Sequence, residues 1–112
     1  MGNQEVLYHV SEVIEDRRLN PKEGSYTNYL FDKGIDKILK KVGEEATETI
    51  IAAKNADKKE IVYELSDLIY HLTVLMAVTG VTWDDIMEEL AKRELKTGNL
   101  KISDKPEKVT EY

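Results

Sequence analysis

The stretch IDKILKKVGEEATETIIAAKNADKKEIVYELSDLIYHLTVLMAVTG, residues 35–80, decides the fold. In its first part Ile35, Ile38, Leu39, Val42, Ala46, Ile50 and Ala53 recur at the period of an amphipathic helix, predicting one over 35–54. Its second part carries Ile61, Leu65, Leu68, Ile69, Leu72, Leu75 and Met76 on one broad face, with Val74 and Val78 adding apolar surface on another side. Asn55 and Ala56 break the pattern between them, Asp57 with Glu60 forms an acidic capping box, and Gly80 supplies a stop after Thr79. A helix so apolar belongs at the centre of a bundle or against another subunit.

Outward from this pair the pattern stays helical. Val6, Leu7, Val10, Val13 and Ile14 predict a helix over 4–18, and Asn20, Pro21 and Gly24 break it. Ser25 can cap a short helix over 26–33, which Gly34 interrupts. On the other side Thr82 and Asp85 cap a helix through Ile86, Leu90 and Leu95, closed by Gly98. No repeat, low-complexity segment or strand pattern occurs. The reading is an all-α helical bundle over 1–98, with 99–112 as a mobile or partner-docked tail.

Composition narrows the chemistry. A chain of 112 residues suits one domain with a modest core, and one Trp and one Phe make that core mainly aliphatic. Without cysteine there are no disulfides, thiolate ligands or thiol nucleophiles. No continuous apolar run of about 18 residues and no signal pattern is seen, so no membrane role and a cytoplasmic setting are expected. The net charge of -6 opposes broad contact with nucleic-acid phosphates. Much of that acidity sits in five residues, Glu44, Glu45, Glu48, Glu64 and Asp67, without which acidic and basic residues nearly balance.

Those five have a geometry. Glu44, Glu45 and Glu48 fall within an arc of about 100° on their helix, and Glu64 and Asp67 stand three apart on the next, with His71 following on the same strip. Two helices joined by so short a connection pack antiparallel, which brings Glu45 and Glu48 to the height of Glu64 and Asp67. Carboxylates so gathered repel unless protons or a cation offset the charge, and an all-oxygen set suits Mg²⁺ or Mn²⁺. The blander reading is a solvated acidic surface, since glutamates at this spacing are common on exposed helices.

The paired motifs EExxE and ExxD, with 15 residues between Glu48 and Glu64, resemble the MazG-type all-α nucleoside-triphosphate pyrophosphohydrolases. SYTNYLFDKG (25–34), KKVGEEATETIIAA (40–53) and ELSDLIYHLTVLMAVTGVTWDDIMEEL (64–90) resemble one branch of them, the phosphoribosyl-ATP pyrophosphohydrolases of histidine biosynthesis. The resemblance spans about residues 5–95 and implies Mg²⁺-dependent hydrolysis of phosphoribosyl-ATP to phosphoribosyl-AMP and pyrophosphate. It also implies a helical homodimer or larger homo-oligomer with sites near the subunit interface. By position, Glu45, Glu48, Glu64 and Asp67 become metal ligands, and Glu44 a further acidic group that binds metal or orients the attacking water. Thr47 departs from the small apolar residue common in that branch.

Hydrolysis of a phosphoanhydride needs charge neutralisation and a placed water rather than a protein nucleophile. The chain has no GxxxxGK[ST] loop. Lys41 is the leading cationic partner for the substrate, with Lys37, Lys40, Lys54 and Arg93 behind it. Ser25, Tyr26 and Thr27 can contact ribose or phosphate, though Ser25 serves equally as a cap. His71 reads as a hydrogen-bonded packing residue rather than a general base, His9 as surface, Trp83 as a staple at the start of its helix, and Tyr70 and Met76 as core or interface. The rival readings are a pyrophosphohydrolase of other nucleotides and a non-catalytic metal-binding helical dimer.

Overall fold

The computed structural model describes residues 2–98, with side chains as far as residue 94. A single 3-10 turn, Asn3–Glu5, leads into five helices: α1 (Val6–Leu19), α2 (Tyr26–Lys33), α3 (Ile35–Lys54), α4 (Lys58–Thr79) and α5 (Trp83–Gly98). No strand occurs among the described residues. Residues up to Gly80 form one compact unit and those from Val81 a second, so α1–α4 are described together and α5 by itself. The tail at 99–112 and the Leu95 side chain lie outside the described residues.

Local chemistry sets the boundaries. Ser25 Oγ accepts from the Asn28 backbone N–H at 3.2 Å and starts α2. Gly34, at φ 89°, ends it in a conformation that side chains rarely adopt, and α3 begins one residue later. Between α3 and α4 lie only Asn55, Ala56 and Asp57; Ala56 takes a left-handed φ of 54°, and Asp57 Oδ1 accepts from the Glu60 N–H at 3.2 Å. In the second unit Thr82 and Asp85 cap α5 reciprocally, each side chain accepting from the other's backbone N–H, at 3.1 and 2.9 Å. The expected first helix differs slightly: its start is the 3-10 turn, with no side-chain cap, and it runs to Leu19.

A core of Ile14, Leu30, Ile38 and Val74 takes one residue from each of α1–α4, with Val10, Phe31, Tyr70, Leu75 and Ala77 packed on it. Ile38 and Val74 are equidistant in sequence from Ala56, as expected across an antiparallel hairpin.

The inward face of that hairpin only partly matches the one the periodicity predicts: Ile38 is buried, and Val42 and Ala46 are half-buried. On α3 the buried residues are Ile38, Glu45 and Ala52, whereas Ile35, Leu39, Ile50 and Ala53 are exposed. On α4 they are His71, Thr73 and Val74, while Leu65 and Ile69 are exposed. Glu45, Glu64, Asp67 and His71 therefore lie on the inward side, Glu44 and Glu48 are exposed, and much of the broad apolar surface faces out. The cause is coverage, because α1 and α2 supply apolar partners only to part of the pair. By length and composition alone α4 would pass for a membrane span, but Glu64, Asp67 and His71 on its α3-facing side mark the polar inner strip of a bundle helix.

Candidate metal centre

The hairpin fixes which carboxylates meet. Glu48 and Glu64 are each eight residues from Ala56, and Glu45 and Asp67 are each eleven. The side chains follow this register. The Glu48 carboxylate stands against that of Glu64 and pushes the Glu64 carboxyl up to about 7, with burial and the charge of Asp67 adding to the shift. Glu64 Oε1 is buried and no donor reaches it among the described residues. Two carboxylates in such contact need a shared proton or a cation.

The second pair is built differently. Glu45 is 8% exposed, and its Oε1 accepts a hydrogen bond from His71 Nδ1 at 2.6 Å. Burial raises the Glu45 carboxyl above its ordinary value; the His71 hydrogen bond opposes that, and the charges of Asp67 and Glu48 reinforce it. Asp67 acts electrostatically on both Glu45 and Glu64. As the side chains stand, no three His, Asp or Glu groups among the described residues converge closely enough to hold one ion. Joint ligation would require the side chains to move closer together. The donor set nevertheless fits a hard divalent cation, because it is all oxygen, strongly acidic, and includes a buried oxygen without a donor.

The remaining expected residues are placed as follows. Glu44 is exposed, with Lys41 Nζ 3.9 Å from its carboxylate. Lys37 is half-buried on α3, while Lys40 and Lys54 are exposed. Arg93 pairs with Glu89 at 3.2 Å within α5. Ser25 acts as the α2 cap, and Thr27 is buried with its hydroxyl paired to that of Tyr70. The Tyr26 hydroxyl lies 2.8 Å from His71 Nε2; burial and the nearby Glu45 charge hold it protonated beyond the usual phenol range. His9 is exposed and His71 buried and hydrogen-bonded, as the sequence suggests. Thr47 uses its hydroxyl on the Gly43 carbonyl at 3.0 Å, so the polar substitution is satisfied within α3.

Glu48 and Glu64 open onto a cavity of about 190 Å³ that Ile51, Ala52, Asn55, Asp57 and Glu60 complete. Ser25 and Tyr26 border another of about 440 Å³ along 21–32. Sequence reasoning missed two features here. One is Asn28, whose side chain accepts from Lys22 N–H at 2.8 Å and donates to the Arg17 carbonyl at 2.7 Å, pinning the α1–α2 loop. The other is the pairing of Tyr26, His71 and Glu45 across three helices; its only signal was His71 one turn beyond Asp67.

Comparison with known proteins meets this geometry at the same residues. Residues 7–94, which include every carboxylate of the site, match the family described as phosphoribosyl-ATP pyrophosphohydrolase. The chain belongs to the phosphoribosyl-ATP pyrophosphohydrolase family. Among its relatives, the phosphoribosyl-ATP pyrophosphatase of Lactiplantibacillus plantarum is 56% identical over 107 residues, covering 96% of each chain. That of Streptococcus thermophilus is 60% identical over 97 residues, covering 87% of this chain and 90% of the other. The histidine biosynthesis bifunctional protein HisIE of Thermoanaerobacter pseudethanolicus is 67% identical over 87 residues, which are 78% of this chain but only 40% of that protein. The chain thus spans less than half of its bifunctional relatives and nearly all of the phosphoribosyl-ATP pyrophosphatases.

Proposed function

We propose that the protein hydrolyses phosphoribosyl-ATP to phosphoribosyl-AMP and pyrophosphate, in the cytoplasm and as a step of histidine biosynthesis. The observation that carries this is the buried, donorless Glu64 oxygen set against Glu48, in a chain of this family. Water adds to phosphorus, the anhydride bond between the α and β phosphates breaks, and pyrophosphate leaves with the displaced electron pair.

Glu45, Glu48, Glu64 and Asp67 would hold Mg²⁺. Bound there, the ion supplies charge neutralisation for the phosphates and acidifies water. The chain's residues do the rest. The cavity of about 190 Å³ beside Glu48 and Glu64 would take the phosphate chain, and a glutamate not engaged by the ion can accept the water's proton. Lys41, on α3 one turn before Glu45, can add positive charge to the substrate once it leaves Glu44. We further propose that the working form is a homodimer or larger homo-oligomer, supported by the exposed apolar residues of α3 and α4.

The test is pyrophosphate release from phosphoribosyl-ATP with Mg²⁺, by parent and by Glu48→Gln. The expected loss in the variant is roughly 10²-fold in kcat. Equal rates would remove Glu48 from the site, and a preference for deoxynucleoside triphosphates would replace the substrate assignment.

A further inference from the structure

Three helices meet in one hydrogen-bonded chain. Tyr26 from α2 reaches His71 of α4 at 2.8 Å, and His71 reaches Glu45 of α3 at 2.6 Å. His71 is 4% exposed, with both ring nitrogens engaged. Its Nδ1 also lies 3.0 Å from the Asp67 backbone carbonyl. A carbonyl only accepts, so Nδ1 carries the proton and donates toward Glu45 and Asp67. On the neutral ring Nε2 is then the acceptor, and the Tyr26 O–H donates to it. The Tyr26 ring is held in turn, stacked at 5.9 Å on Tyr29 and 6.1 Å on Tyr70 and edge-on to the imidazole at 5.7 Å.

We infer that Tyr26 and His71 are positioning residues for Glu45: together they fix one carboxylate oxygen, and thereby aim the other at the cation site. The inference rests on the metal reading of the site. It differs from the expectation that Tyr26 contacts substrate, because the Tyr26 proton is committed to His71. A carboxylate on a helix facing a partner helix has several rotamers open to it, and one short bond to a buried imidazole selects among them. Asp67 couples the device to the rest of the site, since its carbonyl anchors the ring while its carboxylate belongs to the acidic set. Partners of this kind typically alter metal affinity or activity by about 10–100-fold when removed.

The experiment titrates metal-free protein with Mn²⁺, following free Mn²⁺ by electron paramagnetic resonance, beside thermal melting and steady-state kinetics on phosphoribosyl-ATP with Mg²⁺. Tyr26→Phe keeps the stacked ring and removes one oxygen, so it tests the relay even if a His71 variant fails to fold. His71→Asn keeps a donor near Nδ1 and loses the acceptor at Nε2, whereas His71→Ala loses both. The expected order is about three- to tenfold weaker Mn²⁺ binding for Tyr26→Phe, a larger loss for His71→Asn, and the full range for His71→Ala. Across Tyr26→Phe and His71→Asn kcat falls with KM little changed. Adding Tyr26→Phe to His71→Asn costs nothing further, because the link is already broken. Wild-type Mn²⁺ affinity in Tyr26→Phe with a raised KM overturns the inference in favour of a substrate-binding hydroxyl. Losses that multiply in the double variant overturn it too. Variants that match a metal-binding parent refute the relay alone, whereas a parent that binds no Mn²⁺ refutes the metal reading beneath it.

Discussion

At the scale of single residues the deciding fact is that Glu64 is held next to another carboxylate without a donor for one of its oxygens. Its carboxyl is pushed up to about 7, first by Glu48. An acid whose folded pKa is raised above its unfolded value binds more protons folded than unfolded, so stability is fully present below about 4.5 and is lost as pH climbs through about 7. Metal-free protein should therefore melt at falling temperature over that interval, and Glu64→Gln, which needs no proton, should flatten that decline. Added Mg²⁺ competes with protons for the same oxygens, so its stabilising effect should grow from pH 5 to pH 8. Calorimetry at several pH values with and without Mg²⁺ checks all three expectations. A Mg²⁺ effect equal at both ends would mean the ion does not bind at this pair. That Glu45 and Glu48 stand at the height of Glu64 and Asp67 could be argued from sequence because register across a tight hairpin is arithmetic about Ala56. The hydrogen bonds of Tyr26 and Thr27 could not, since they depend on how α2 lies on α4, which no spacing encodes.

At the scale of elements, helix ends were the most legible part of the chain, because each is written in a few residues: Ser25, Gly34, Asp57, Gly80 and the Thr82–Asp85 pair. Which stripe turns inward was only partly legible, because periodicity reports that a helix has an apolar face and not what covers it. Two changes probe the hairpin. Asp57→Ala removes the α4 cap and should cost about 1 kcal/mol, whereas Ala56→Gly relieves a left-handed residue and should be neutral or stabilising by up to about 1 kcal/mol. Urea midpoints read both, and an Ala56→Gly variant clearly weaker than the parent would mean the turn is not strained. A third change concerns Gly43, within α3 beside the glutamates. A methyl group there meets nothing within 4 Å, so Gly43→Ala should strengthen the helix by roughly 0.8–1 kcal/mol. If the variant is instead less stable or fails to assemble, a second chain packs against that position.

At the scale of the whole molecule, the described residues of a single chain leave a set of large apolar side chains exposed on α3 and α4. Ile50 is 63% exposed, Val62 56% and Leu39 47%, with Leu65 and Ile69 near 40%, and all five lie on α3 or α4. Fully burying a side chain of this class gains about 1.5–3 kcal/mol, and a two-fold interface counts each residue twice. In the proposed homo-oligomer, the outward apolar faces of α3 and α4 would pack on another copy, leaving the inner side of the hairpin to Glu45, Glu64, Asp67 and His71. Leu65→Glu and Ile69→Glu should each place two like charges in such an interface. Either variant should sediment as a smaller species than the parent and lose activity with it, at protein concentrations where the parent hydrolyses its substrate. Because Leu65 neighbours Glu64, the Ile69 variant carries the weight of the test, being two positions from Asp67 and half a turn round the helix. A parent that sediments as a monomer while fully active would show that one chain suffices, and the apolar faces of α3 and α4 would then need a different partner.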